Sequence, residues 1–345
     1  MHMSKALLIL NLGSPDSTEV GDVRRYLNEF LMDERVIDYP YLWRMLLVKG
    51  IITPFRAPKS AEAYKLIWTP KGSPLKVISE EFKQAVEAKV KMPVAIAMRY
   101  ANPTPATAIK ELEAKTGGLT ELLIAPMYPH YAMSSYETAV EHVKEAIRRS
   151  GRTYKVTILK PFYNEPAYID VLAESMKPYV QGKQFDKILF SYHGLPIRHL
   201  KKTGPNNNHC YVSNVCCEVK SVAHQYCYKH QVKETTKLVT EQLGIDNSKV
   251  EISFQSRLGS GWVQPFTDVV LEDLPKQGVK KLLVICPAFV ADCLETLEEI
   301  EGRGKEIFTE HGGEEFTYIP CINTQPQWVD TFVGYLDKQE LWATN

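Results

Sequence analysis

The sequence has no excess charge of either sign: 41 basic side chains balance 41 acidic ones in 345 residues. Broad nucleic-acid binding needs a basic field, and none is present. No run approaches the roughly 20 apolar residues that span a bilayer. The opening Met1-His2-Met3-Ser4-Lys5 passes straight into the strand-like Ala6 to Leu10 rather than into a secretory leader. No Gly-x-Gly-x-x-Gly follows that first strand, so a dinucleotide is not indicated. Paired Cys-x-x-Cys units, the usual mark of zinc, are missing too. The chain does hold seven cysteines, four of them crowded between 210 and 227. Such crowding suits a reduced compartment and metal ligation better than a secretory disulfide framework, and a cytoplasmic setting is expected.

Hydrophobic residues make up 44% of the chain, enough for a core in each of two domains. Short apolar runs alternate with helical stretches, which predicts an α/β fold with parallel sheets. Strands are expected at 6–10, 93–98, 121–125 and 155–159, then at 187–192, 250–254, 281–286 and 316–319. Four in each half suggest two similar lobes.

Two strand ends carry the chemistry. Lys187 to Phe190 is a buried-strand pattern stopped by Gly194 and Pro196, leaving His193 at its carboxyl end. Ligands of open α/β sheets bind outside the carboxyl ends of strands, and a histidine there can accept a proton or hold a metal. Lys281 to Cys286 is a second such strand, followed by 288–299. On a helix, Asp292, Glu295 and Glu299 would fall within roughly 60° of one another, a stripe separate from Leu294, Leu297 and Ile300. Taken alone, the stripe equally describes a solvated acidic helix start and the histidine a loop-bonding side chain. Together they describe a site for a cation and for proton transfer.

Asn11-Leu12-Gly13-Ser14-Pro15, Met98-Arg99-Tyr100, Ser191-Tyr192-His193-Gly194-Leu195-Pro196, Phe254-Gln255-Ser256-Arg257 and Phe289 to Glu299 stand in the order and spacing of ferrochelatases. The chain resembles that family from about Leu7 to about Phe332. The resemblance implies two Rossmann-like lobes with four-stranded parallel sheets facing across a cleft. Their boundaries would be 1–160 with the terminal 325–345, and 161–324 with a Cys-rich insertion at about 203–230. It implies insertion of ferrous iron into protoporphyrin IX, with His193 and Glu295 catalytic and holding the substrate iron, and Asp292 and Glu299 as a relay. Tyr64, Ile67, Ser73, Arg99, Tyr100, Tyr128, Gln255 and Trp262 would bind the porphyrin, Arg99 by pairing with a propionate. Cys293 stands where some members have histidine, which leaves His193 as the one histidine at the reaction centre. A cobalt chelatase of corrinoid synthesis and a two-lobed haem- or metal-binding protein without chemistry remain as alternatives.

Residues 39–56 are apolar and aromatic with scattered cations. An ordinary core helix explains that composition as well as an interfacial one does. By resemblance the segment is an active-site lip that meets a hydrophobic substrate and a peripheral membrane surface. The cysteines follow a C-x₅-C-C-x₉-C pattern, and thiolates suit soft metals, as zinc or as an iron–sulfur cluster. By resemblance to the members that carry one, Cys210, Cys216, Cys217 and Cys227 are expected to bind a [2Fe–2S] cluster.

Overall fold

The structure, a computed structural model, describes residues 4–202, 215–257, 259 and 261–344. The chain forms two compact units, one of residues 1–128, 133–160 and 323–345, the other of 129–132 and 161–322.

The first unit begins with β1 (Lys5–Asn11), α1 (Val20–Leu31), α2 (Tyr41–Met45), α3 (Thr53–Ile67) and α4 (Pro74–Glu87). It continues through β2 (Val94–Met98), α5 (Pro105–Thr116), β3 (Glu121–Pro126), α6 (Thr138–Ser150) and β4 (Lys155–Leu159). β1 to β4 are buried over nearly their whole lengths, as parallel strands covered on both faces must be. The second unit holds α7 (Pro166–Val180), β5 (Lys187–His193), α8 (Ile197–Lys202), α9 (Tyr228–Leu243), β6 (Val250–Gln255), α10 (Thr267–Lys276), β7 (Lys281–Ile285), α11 (Lys305–Glu310) and β8 (Glu315–Ile319). The chain then returns to the first unit with α12 (Pro326–Tyr335) and β9 (Trp342–Thr344). Helices α4, α5, α7 and α12 start on a proline, whose fixed φ suits the first turn and whose missing N–H costs nothing there.

The second sheet has the expected four parallel strands, in the order β6-β5-β7-β8. The first has five, in the order β2-β1-β3-β4-β9, because β9 pairs antiparallel with β4 through Thr157↔Thr344 and Leu159↔Trp342. The four expected parallel strands are all present in this unit, and β9 adds an antiparallel fifth at the edge. A three-residue strand has no period of its own and forms because β4 offers an unpaired edge.

Residues 46–52 and 295–304 are wound as π-helix, with i→i+5 bonding, and so is the short turn Met133–Glu137. Such widened turns are frequent at functional sites. Among the described residues, no helix is long and apolar enough to cross a membrane.

Candidate active site

In the second unit, β5 and β6 end side by side, with His193 opposite Gln255 in the ladder. The next peptide turns sharply: the Gly194 N–H donates to the Gln255 carbonyl at 2.8 Å. A Cβ at Gly194 would stand 2.7 Å from that carbonyl oxygen and 3.3 Å from Trp262 Cε3, so the turn accepts only glycine. Trp262 is held against this corner by bridging to Pro196. The partly buried His193 ring lies tilted toward Phe289, with centroids 6.5 Å apart. Its Nδ1 is 2.7 Å from the Gly194 carbonyl oxygen, which can only accept, so Nδ1 carries the proton. Nε2 is left as a lone-pair donor for a proton or a metal.

Gln255 was expected to face the ligand, but its side chain is 2% exposed and bonded at both ends within the protein. Its Oε1 accepts from Ser191 Oγ at 2.7 Å, and its Nε2 donates to the Glu295 backbone carbonyl at 3.0 Å. It therefore fixes the start of the π-helix against the strand that carries His193. Ser256, which sequence reasoning placed only loosely, adopts φ +62°, a left-handed conformation that costs a non-glycine residue energy and recurs at functional sites. From that position its N–H reaches one oxygen of Glu299 at 2.8 Å, and its hydroxyl donates to the other. Burial raises the Glu299 pKa above the usual carboxylate range. The Ser256 hydroxyl and the nearby His193 pull it down, and the Glu295 carboxylate pushes it up. His193 and Glu295 thus both lie within electrostatic reach of Glu299. Glu299 also borders a pocket of about 200 Å³ lined by Ser256, Arg257, Asp268, Leu271 and Arg303.

Asp292 does not join this group as an extension of a helical stripe. The helix expected over 288–299 starts only at Leu294, so Asp292 precedes it. The carboxylate is 5% exposed, and its Oδ1 accepts from Tyr318 OH at 2.6 Å, Thr296 Oγ1 at 3.0 Å and the Cys321 N–H at 3.4 Å. Those bonds direct it toward the end of β8. Burial, the Glu295 charge and a hydrogen bond to that carboxylate push the Cys293 thiol pKa up, so this cysteine stays protonated beside the site.

In the first unit, the stretches 11–13 and 98–100 prove to be one structure. The Arg99 and Tyr100 N–H groups donate to the Asn11 and Leu12 carbonyls at 2.8 and 2.9 Å. A Cβ on Gly13, at φ +103°, would lie 2.0 Å from the Tyr100 carbonyl oxygen. Arg99 was expected to seek a propionate, yet much of its guanidinium is already engaged. Nη2 donates to Asp33 Oδ2 at 2.5 Å and Nε to Thr138 Oγ1 at 2.7 Å. Tyr100 and Thr138 also donate to that Asp33 oxygen, and the Arg35 N–H donates to the other at 2.8 Å. Burial works to raise the Asp33 pKa, but Arg99 and these donors hold it below the usual carboxylate range.

Tyr100 is fully buried, edge-on to Phe30 at 5.1 Å and Tyr26 at 6.4 Å. Tyr64 packs on Tyr26 and Trp68, Ser73 and Tyr128 are buried, and Ile67 is half-buried at the end of α3. By contrast Trp43 is 70% and Phe55 75% exposed, and Tyr41, Leu42, Leu46 and Ile51 are exposed beside them. Segment 41–55 thus presents an apolar outer face over a small core of Leu31, Ile37 and Val48.

Of the four clustered cysteines, Cys210 lies outside the described residues. The other three are together: Cys217 is hydrogen-bonded with both Cys227 and Cys216, and the bond to Cys227, with burial, pushes its pKa up. Imidazole N–H groups support their backbone, His224 Nε2 donating to the Cys216 carbonyl at 3.2 Å and His230 Nδ1 to the Cys217 carbonyl at 2.9 Å. Among the described residues no three His, Cys, Asp or Glu side chains already converge as a metal cage.

Comparison with known proteins agrees with this architecture. The family profile Ferrochelatase matches residues 4–340. Ferrochelatase of Opitutus terrae is 48% identical over 331 residues, 95% of each chain. Ferrochelatase of Pseudomonas fluorescens is 46% identical over 339 residues, 97% of this chain and 98% of that one. Among solved structures, SirB from Bacillus subtilis with Fe³⁺ superposes with a TM-score of 0.56 at 14% identity, covering 97% of this chain and 95% of its own, a likeness of fold. With the family profile spanning nearly the whole sequence and relatives this similar end to end, the chain belongs to the ferrochelatase family.

Proposed function

We propose that the protein is an enzyme that inserts ferrous iron into protoporphyrin IX in haem biosynthesis, releasing two protons. The observation that carries this reading is His193: its Nδ1–H is committed to the Gly194 carbonyl, which leaves Nε2 its lone pair, and Glu299 feels the charges of both His193 and Glu295. Insertion requires two pyrrole N–H protons to leave as the metal arrives. His193 Nε2 accepts one pyrrole proton or holds the incoming iron, and Glu295 is its partner ligand or proton acceptor. Glu299 has its pKa raised by burial and its carboxylate held by Ser256, and it takes protons onward. Asp292 supports the relay from behind, through the residues it bonds. Tyr64, Ile67, Ser73, Arg99, Tyr100, Tyr128, Gln255 and Trp262 form the porphyrin site, the buried members by holding those that touch the ring. Arg99 meets a propionate with whatever part of its guanidinium Asp33 and Thr138 leave over.

The exposed apolar face of 41–55, with Lys49 and Arg56 beside it, suits a peripheral contact with an anionic membrane surface from which a greasy substrate is loaded. Cys210, Cys216, Cys217 and Cys227 hold a [2Fe–2S] cluster. Three neighbouring soft donors, with Cys217 bonded to the other two, support that group. The cluster supplies cross-linking of its loop, because inserting ferrous iron needs no electron. Protein purified without oxygen should be coloured, with iron and acid-labile sulfide in equal amounts, and Cys217→Ser should bleach it. A colourless protein with stoichiometric zinc would overturn the cluster. The reaction itself is tested by offering ferrous iron and cobalt to protoporphyrin and sirohydrochlorin. Iron with protoporphyrin should be the productive pair, and cobalt with sirohydrochlorin alone would reassign the enzyme to corrinoid synthesis.

A further inference from the structure

We infer that Tyr228 is a positioning residue for His193, and that the first turn of α9 links the thiol site mechanically to the reaction centre. The inference rests on the proposed roles of His193 and of the cysteines. The link is a juxtaposition within one helical turn. Tyr228 OH donates to the His193 backbone carbonyl at 3.0 Å, while His230, two residues on, donates to the Cys217 carbonyl at 2.9 Å. Cys227, a proposed ligand, is the residue immediately before Tyr228 and is fully buried.

The same helix grips both sides again. Tyr192, next to His193, shares a 2.7 Å hydrogen bond with Thr236. Gln231 is fully buried and donates to the His224 and Gln225 carbonyls at 3.1 and 2.9 Å, while its Oε1 accepts the Tyr131 N–H at 2.7 Å. The cysteine loop, the 129–132 segment and the end of β5 are therefore all bonded to α9 between Tyr228 and Thr236. Burial keeps the Tyr228 phenol protonated, so it always has a proton to donate. The imidazole of His193 is aimed by its Nδ1 bond to the Gly194 carbonyl and by two bonds on the peptide between His193 and Gly194, from Tyr228 to the carbonyl and from the N–H to Gln255. Removing the Tyr228 bond leaves that peptide held from one side alone, by the Gly194 N–H, so the ring it carries shifts, and loosening the cysteine loop shifts the tyrosine that supplies the bond.

The test uses the intact chain purified anaerobically, with ¹⁵N-labelled histidine, as parent, Tyr228→Phe, Cys217→Ser and the double variant. His193→Gln identifies the imidazole resonance by its loss. Tyr228→Phe keeps the ring in its packed site. It should retain colour and labile sulfide, shift the His193 resonance, and lower kcat about 10- to 100-fold, the usual loss for a group that orients a ligand from behind. The porphyrin KM should change less than about twofold, since ring contacts are untouched. Cys217→Ser should lose colour, shift the same resonance and lower kcat, and the double variant should be no slower than the slower single one. An unmoved resonance and unchanged kcat in Tyr228→Phe would overturn the inference, as would losses that multiply in the double variant. If His193→Gln stays active while the resonance still moves in both single variants, the link stands and the catalytic role of His193 fails.

Discussion

His130 makes the acid stability of this protein predictable. The side chain is 3% exposed, and its Nε2 is 2.9 Å from Thr235 Oγ1. The Thr235 hydroxyl spends its own proton on the Tyr163 carbonyl at 2.7 Å, so His130 is the donor and its Nδ1 is unprotonated. That Nδ1 has no hydrogen-bond partner among the described residues, and the ring is enclosed by Tyr163, Tyr192 and Tyr228. A proton there would be buried without a counter-charge, and burial lowers the pKa from 6.5 to about 3. Because the folded value is depressed, the stabilisation is complete above pH 6.5 and is lost as the pH falls from there toward 3. Each unit is worth about 1.4 kcal/mol, so acidifying from pH 7 to pH 5 should cost about 2 kcal/mol from this residue. The figure holds for any folded pKa below about 4, since at pH 5 the folded histidine is then neutral in every case. His130→Gln keeps an N–H for Thr235 and does not titrate. Urea unfolding of parent and variant at pH 7 and pH 5 gives the double difference. His142, whose pKa burial lowers to about 4, is present in both and cancels. Equal acid sensitivity of the two proteins would refute the neutral, enclosed histidine.

Asp33→Asn should destabilise the first unit by about 3 kcal/mol, because it strands the Arg99 charge at a site where both side chains are largely buried. Thermal unfolding checks this, and a change below 1 kcal/mol would show that the pair is not what holds Arg99. Replacing Trp43 and Leu46 by serine should weaken binding to anionic liposomes while shifting stability by no more than about 0.5 kcal/mol per site, since both are exposed. A large fall in melting temperature with liposome binding intact would make the segment core.

The strands were legible because each is a short apolar run closed by a turn residue, and β5 and β7 lead to His193 and to the carboxylates as the pattern implied. β9 was not, since three residues carry no period and exist as a strand only through β4. Asp292 was misplaced because 3.6-residue spacing was applied to a segment that stays irregular up to Leu294 and then widens into a π-helix. Arg99 read as a free cation because its partner, Asp33, is 66 residues away in sequence. The same distance effect hid Tyr228, whose hydroxyl reaches back 35 residues to His193. The left-handed backbone of Ser256 could not be read from a serine, since its conformation is imposed by the Glu299 carboxylate it clamps and by the end of β6.

The central claim is that His193, through Nε2, and Glu295 act as the metal enters the porphyrin. Its most direct test is single-turnover insertion of ferrous iron into protoporphyrin without oxygen, followed by absorbance, for the parent, His193→Ala and Glu295→Gln. The parent should form haem, and both variants should bind porphyrin as tightly as the parent while inserting iron at least about 100-fold more slowly. Insertion by His193→Ala within a few-fold of the parent rate would contradict the account.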